Sequence, residues 1–251
     1  MRKALTVAAV AAFIFSGSVA ASTIWTNSAG SNAITAVDSV TGALIKQFNP
    51  NKGNGRGIVV VGNVVYYTVA NSNNVFKLDA TTGADLGIAF SIAGTTGLSA
   101  ISFDGTNFWV ADYSGTKNAY LVSPTGVLLK TISFSLCSSF CDGLEFFNGK
   151  LISNRGDTLN PAIYDVYDLS GNVITPAFIT DTGGGGRGIA YDGTNFIVAN
   201  ATQISTYNGT TGVKINTITP AVPGKTTRIF RSTLRSVPIP AAGPWTSASP
   251  R

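Results

Sequence analysis

FDGTNFWVAD (103–112) and YDGTNFIVAN (191–200) are two copies of one phrase, and its reading decides the fold. They lie 88 residues apart, which is two periods of 44. Weaker copies fill the gaps: FFNGKLISN ends at Asn154, VVGNVVYYTVAN at Asn71 and the shorter TIWTN at Asn27. Each copy is an apolar run, a tight turn and a second apolar run. Asp104-Gly105-Thr106-Asn107 and Asp192-Gly193-Thr194-Asn195 are turn residues, because Gly tolerates positive φ and Asp or Asn bonds its own backbone. The flanks are β-branched or aromatic and read as strands. The second strand of each copy is expected to stop at Asn27, Asn71, Asp112, Asn154 and Asn200, spaced 44, 41, 42 and 46 residues.

A second glycine-closed turn follows each copy: VDSVTG (37–42), LDATTG (78–83), VSPTG (122–126), YDLSG (167–171) and YNGTTG (207–212). Two hairpins per repeat make four strands, and a period in the low forties is that of a propeller blade. Such a unit cannot bury both faces of its sheet unless it packs against others around an axis. The expected fold is therefore all-β: a five-bladed β-propeller with four antiparallel strands per blade. The front repeat holds only three strands, at 23–26, 33–38 and 44–48. The strand-like piece at 228–234 is expected to supply its missing inner strand and close the ring, which avoids two open sheet edges.

Composition points to an exported protein. Charged residues make up 12% of the 251, against about 25% in an average soluble protein. Arg2-Lys3 and the apolar run at 4–15 read as a signal peptide too short to span a bilayer, with cleavage after Ala20 or Ala21. Cleavage lowers the formal charge of +5 by two, too mild a balance for nucleic acid. The expected organisation is signal peptide 1–21, propeller 22–235 and a C-terminal segment 236–251. No stable membrane span is expected after cleavage, and the protein is expected to be a monomer. Cys137 and Cys141 are expected to form a local disulfide. The alternatives are a metal or redox-active pair. Zinc needs about four ligands, the chain has no histidine, and the spacing is not C-x-x-C.

The absence of histidine excludes Ser-His-Asp and Cys-His mechanisms. A carboxylate pair remains open. Its candidates are Asp142 and Glu145, with Asp112, Asp157 or Asp181 as further partners, at the separation of about 5–10 Å that glycoside hydrolysis uses. Glu145 stands where the other repeats place Ile58, Ile101 and Ile189. Arg56 and Arg187 occupy equivalent points in GNGRGI (53–58) and GGGRGI (184–189). There they either clamp an anion at the channel mouth or bond backbone carbonyls or a neighbouring blade. The glycine runs lack the strand–loop–helix context of a phosphate cradle. No metal or cofactor is expected.

Turns such as KLDATTGADLG (77–87) resemble those of NHL, YVTN and PQQ-like propeller repeats, which implies the fold. The repeats lack the Trp that closes PQQ-like motifs, so the resemblance carries over no quinone. SVPIPAAGPW (236–245) resembles the start of a PEP-CTERM sorting signal of the VPLPA type. That resemblance implies an exported protein of a Gram-negative bacterium, secreted or at the cell surface and linked to surface polysaccharide. Here the motif is followed only by residues 246–251, without the apolar helix and basic tail of that family. It is therefore read as degenerate, and release is expected over membrane sorting. The leading functional expectation is a non-catalytic binding or structural component of the cell surface or extracellular matrix, with polysaccharide or a surface protein as partner. The alternative is a carbohydrate-active hydrolase or lyase.

Overall fold

Every repeat forms a four-stranded antiparallel sheet. The computed structural model describes residues 22–138, 141–156, 161–181, 187–200, 202–220 and the backbone of 227–232. The expectations for 1–21 and 236–251 lie outside the described residues. Blade 1 holds β1 (Thr23–Ser28), β2 (Ile34–Asp38) and β3 (Leu44–Phe48). Blade 2 holds β4 (Gly55–Val61), β5 (Val64–Val69), β6 (Asn74–Asp79) and β7 (Asp85–Ser91). Blade 3 holds β8 (Leu98–Phe103), β9 (Phe108–Asp112), β10 (Asn118–Val122) and β11 (Leu128–Ser133). Blade 4 holds β12 (Leu144–Phe147), β13 (Lys150–Asn154), β14 (Ala162–Tyr167) and β15 (Val173–Asp181). Blade 5 holds β16 (Gly188–Tyr191), β17 (Asn195–Ala199), β18 (Ile204–Asn208) and β19 (Lys214–Ile218). The last strand, β20 (Thr227–Ser232), returns to blade 1.

β20 pairs with β1 in antiparallel register from Thr23↔Ser232 to Ser28↔Thr227. The inner strands β20, β4, β8, β12 and β16 then touch in that order, and β16 meets β20 again. The chain is a closed five-bladed propeller.

The core lies between blades, not within them. Trp25, Ile34 and Ala36 of blade 1 pack on Ile58, Val65 and Tyr67 of blade 2. Comparable clusters fill the seams of blades 2 and 3, 3 and 4, 4 and 5, and 5 and 1. Burial on both faces makes the second strands almost continuously apolar: all five residues of β9 are buried, as in a sheet covered on both sides. Trp25, Trp109, Tyr67 and Phe196 are buried in this packing.

The turn residues act as their chemistry demands. Asp104 Oδ1 accepts from the Thr106 and Asn107 N–H groups, and Asp192 Oδ1 from those of Thr194 and Asn195. The strand-ending residues cap the next turn or reach a neighbouring blade. Asn27 donates to the Gly57 and Thr68 carbonyls of blade 2, and Asp112 Oδ1 accepts from the Ser114 N–H. Blade 2 departs from the expectation. Val69 stands opposite Gly55 where Asp112 stands opposite Leu98, so Asn71 lies two residues beyond the strand and is exposed. An apolar residue at the strand end left the turn asparagine as the visible marker.

The second glycine of each repeat has a tertiary reason. A Cβ on Gly83 would lie 2.3 Å from the Phe48 ring of blade 1, and one on Gly212 would lie 1.9 Å from the Phe178 carbonyl of blade 4. Both have φ near +70°, at 74° and 68°. Gly42 makes the same approach to Thr219 and Pro220, from blade 1 onto blade 5. Gly212→Ala combines a left-handed conformation with a clash against backbone, and is expected to cost about 2–4 kcal/mol. Denaturant unfolding of the variant measures it, and an unchanged midpoint would rule out this seam contact.

Outer edges are interrupted rather than left flat. β7 bends at Gly87 (φ 78°) and β15 at Ala177 (φ 49°), just after Pro176, while β3, β11 and β19 carry Lys46, Lys130 and Lys214. These are the devices that discourage edge-to-edge pairing.

Candidate functional site

The inner-strand register confirms the equivalence of Ile58, Ile101, Glu145 and Ile189, which face Tyr67, Val110, Ile152 and Val198. Two residues earlier stand Arg56, Ser99, Gly143 and Arg187, a ring at one mouth of the channel. Gly143 leaves room that a side chain would fill: a Cβ there would lie 2.2 Å from the Arg187 carbonyl. Asp142, one residue before it, is fully buried and lies between the two arginines. Its Oδ2 is 3.9 Å from Arg56 Nη1 and 3.6 Å from Arg187 Nη1. Both distances are ion-pair distances, too long for direct hydrogen bonds.

Arg56 is buried. Its guanidinium lies 3.9 Å from the centre of the Tyr113 ring, and Nη2 donates to the Tyr113 hydroxyl at 2.5 Å. The Arg187 side chain keeps 23% of its surface exposed. The axial cavity lined by Ile58, Ile101, Leu144 and Ile189 measures about 10 Å³, room for about one water.

The loop carrying Asp142 is tied down from several directions. Cys137 and Cys141 form a disulfide buried in the seam of blades 3 and 4. Ser99 Oγ donates to the Cys141 carbonyl at 2.7 Å. Ser138 donates from both N and Oγ to the Arg155 carbonyl. Arg155 in turn makes a two-pronged bond to Asp165, at 2.8 and 2.7 Å.

Glu145 sits deeper and serves a different end. Ser102 Oγ of blade 3 donates to its Oε2 at 3.1 Å and accepts from the Phe146 N–H at 2.9 Å. The Tyr191 N–H of blade 5 also bonds to it. Burial pushes the Glu145 carboxyl up to about 8, partly opposed by those two bonds. The group thus satisfies unpaired edges of inner strands across three blades. Asp142 faces the arginines, while Glu145 faces Ser102 and Tyr191. Asp112 accepts from Ser114, Thr116 and Tyr120, and Asp181 from Tyr207 and Lys214. Asp157 lies outside the described residues.

Asp142 as the common counter-ion and Tyr113 as the ring beneath Arg56 were not legible as such in the sequence. One signal pointed that way: Tyr113 follows the strand-ending Asp112, and second strands end at the mouth where inner strands begin. Among the described residues, no cluster of three or more His, Cys, Asp or Glu could hold a metal. No helix there is long and apolar enough to cross a membrane.

No family model matches the chain, and no curated protein matches it. Solved structures do. A chain in the crystal structure of a nidogen/laminin complex is 11% identical, with a TM-score of 0.57 over 84% of this chain and 98% of that one. Glutaminyl cyclase from Myxococcus xanthus is 13% identical, with a TM-score of 0.54 over 66% of this chain and 70% of that one. At such identities the likeness is one of fold, and fold alone does not carry activity.

Proposed function

We propose that this protein is an exported, non-catalytic propeller of the cell surface or extracellular matrix, which binds acidic polysaccharide at the Arg56–Asp142–Arg187 mouth. The observation that carries the reading is the convergence of two guanidiniums from different blades on one buried carboxylate, with one guanidinium still partly exposed. Arginine pairs with carboxylate or phosphate through a planar fork of donors. Both guanidiniums stand at the start of inner strands, where the loops ring one mouth of the channel. Export is supported by the disulfide, since such bonds persist in oxidising compartments.

A thermal-shift series on the full chain tests it. Acidic oligosaccharides are expected to raise the melting point by mass action, and neutral ones are not. The gain is expected to vanish in an Arg56→Ala/Arg187→Ala double variant that retains cooperative melting. Equal shifts in both proteins would move the site away from the mouth, and no shift with any acidic sugar would leave a scaffold without this ligand.

A further inference from the structure

We infer that the rim of blade 3 is a weak self-association surface, which seats a second copy of this chain across a two-fold axis. Val127, Leu128 and Leu129 are consecutive and keep 57%, 51% and 51% of their surface exposed. The backbone bond that closes the second turn, from the Ser123 N–H to the Val127 carbonyl, has a counterpart in every blade and fixes the equivalent positions. At those positions blades 2 and 5 place charges, Asp85 and Lys214, while blades 1 and 4 begin with Ala43 and Asn172. Of the five blades, only blade 3 presents three large aliphatic residues in a row there. Its turn also carries Ser123 where blades 1, 2 and 4 carry Asp38, Asp79 and Asp168. A two-fold contact at one of those three rims would set turn carboxylates against each other, a juxtaposition that interfaces avoid. At blade 3 it sets none.

Beside this triplet lies a cleft of about 140 Å³, between Ser91, Ile92 and Ala93 at the end of blade 2 and Val122, Gly126 and Leu128 of blade 3. A cavity of roughly 150 Å³ accommodates benzene, so a leucine side chain fits. Leu128 is a wall of the cleft and Leu129 is the next residue, so a knob and a hole adjoin on one patch. A two-fold axis between them lets Leu129 of each copy enter the cleft of the other, the reciprocal contact of an isologous interface. A β-bulge takes Leu129 out of the β10–β11 ladder, so side chains make the contact and no edge strands pair. Lys130 does not stand in the way. Its Nζ donates to the Leu169 carbonyl of blade 4, whereas the cleft faces blade 2. The patch offers on the order of 300–400 Å² per copy, about half of the roughly 800 Å² per partner in a stable complex. The chain is therefore a monomer when dilute and a dimer when concentrated.

Sedimentation equilibrium of the full chain is the test. The mass is expected to be that of a monomer at about 10 μM and to rise toward a dimer near about 1 mM, with a Kd on the order of 0.1–1 mM. Leu129→Asp is expected to weaken association at least about tenfold. It is expected to leave the melting point unchanged, since the side chain is half-exposed. Ile215→Asp, the equivalent change in blade 5, is expected to alter neither. Mixing an Ala93→Cys chain with a Leu129→Cys chain is expected to give intermolecular disulfides faster than either chain alone, because Leu129 of one copy reaches Ala93 of the other. A full chain that stays monomeric at about 1 mM overturns the inference, whether its patch is bare or covered by its own terminal residues. Leu129→Asp without effect, an equal effect of Ile215→Asp, or Leu129→Cys cross-linking alone as fast as the mixture would each do the same. Growth beyond the dimer would mean an open, head-to-tail contact and would also overturn the two-fold seating. None of these outcomes bears on anion binding at the mouth.

Discussion

Deletion of residues 226–236 is expected to abolish cooperative folding. β1 pairs with β20 along six residues, and β20 also touches the inner strands of blades 2 and 5. Without it, β1 presents an open edge to the channel, and the ring loses its contact on both sides of blade 1. Ile24 and Trp25, both buried, belong to the two seams that flank that blade. The loss is expected to exceed about 4 kcal/mol, a large part of the roughly 5–15 kcal/mol that holds a typical domain together. The freed edge also templates pairing with other chains. The expected result is a protein that elutes as aggregate and melts without a sharp transition. A synthetic peptide spanning 226–236 is expected to restore part of the melting transition when added in excess. A deletion variant that stays monomeric and melts like the full chain would show that the ring does not depend on this strand.

Glu145→Gln is expected to stabilise the protein above neutrality and to do nothing at low pH. The ordinary pKa of this carboxyl is 4.5, and in the fold it is pushed up to about 8. Between those values the unfolded chain has lost a proton that the folded chain retains, so stability falls as pH rises through the window and levels off above about 8. The full cost is on the order of 5 kcal/mol. Glutamine mimics the protonated acid: its oxygen accepts from the Tyr191 N–H and its amide donates to Ser102. At about pH 4.5 the variant and the parent are expected to melt together. At about pH 8 the variant is expected to melt several degrees higher. Denaturant melts across that range read the slope, and parallel profiles for the two proteins would show that Glu145 does not titrate in this window. The exposed turn aspartates work in the opposite direction. Hydrogen bonds from Thr41, Thr82 and Asn172 hold Asp38, Asp79 and Asp168 below the usual carboxylate range. Their contribution is present above the unfolded pKa and is lost as pH falls through the lowered folded values. Stability is thus expected to peak on the acid side of neutrality.

The same stability data bear on the carbohydrate-active alternative. A hydrolase that used Glu145 as its acid would lose turnover in the Gln variant as it gained stability. A binding protein has no turnover to lose. The carboxyl lies among Ser102, Phe146 and Tyr191 with only 5% of the residue exposed, an environment that accounts for its raised pKa through the structure it supports.

By itself the sequence determined the strands, the turns, the blade count and the ring closure. All of these follow from local rules applied at a fixed period: Asp and Asn cap their own turns, glycine adopts positive φ, and apolar residues continue where both sheet faces are covered. It also matched Arg56 with Arg187, because both precede the same inner-strand isoleucine, and it marked Glu145 as the exception in that series. Only the tertiary structure decided what those residues meet. Gly83 and Gly212 read as turn formers, yet their tight fit comes from Phe48 and Phe178 of the preceding blades. Asp142 joins two arginines from repeats far apart in the chain because closing the ring brings three inner strands to one axis. Tyr113 under Arg56 and Ser102 on Glu145 arise from the same closure. A repeat specifies its own sheet through contacts between neighbours in sequence. The site is made of contacts between blades, whose partners depend on how many units close the circle and at what angle.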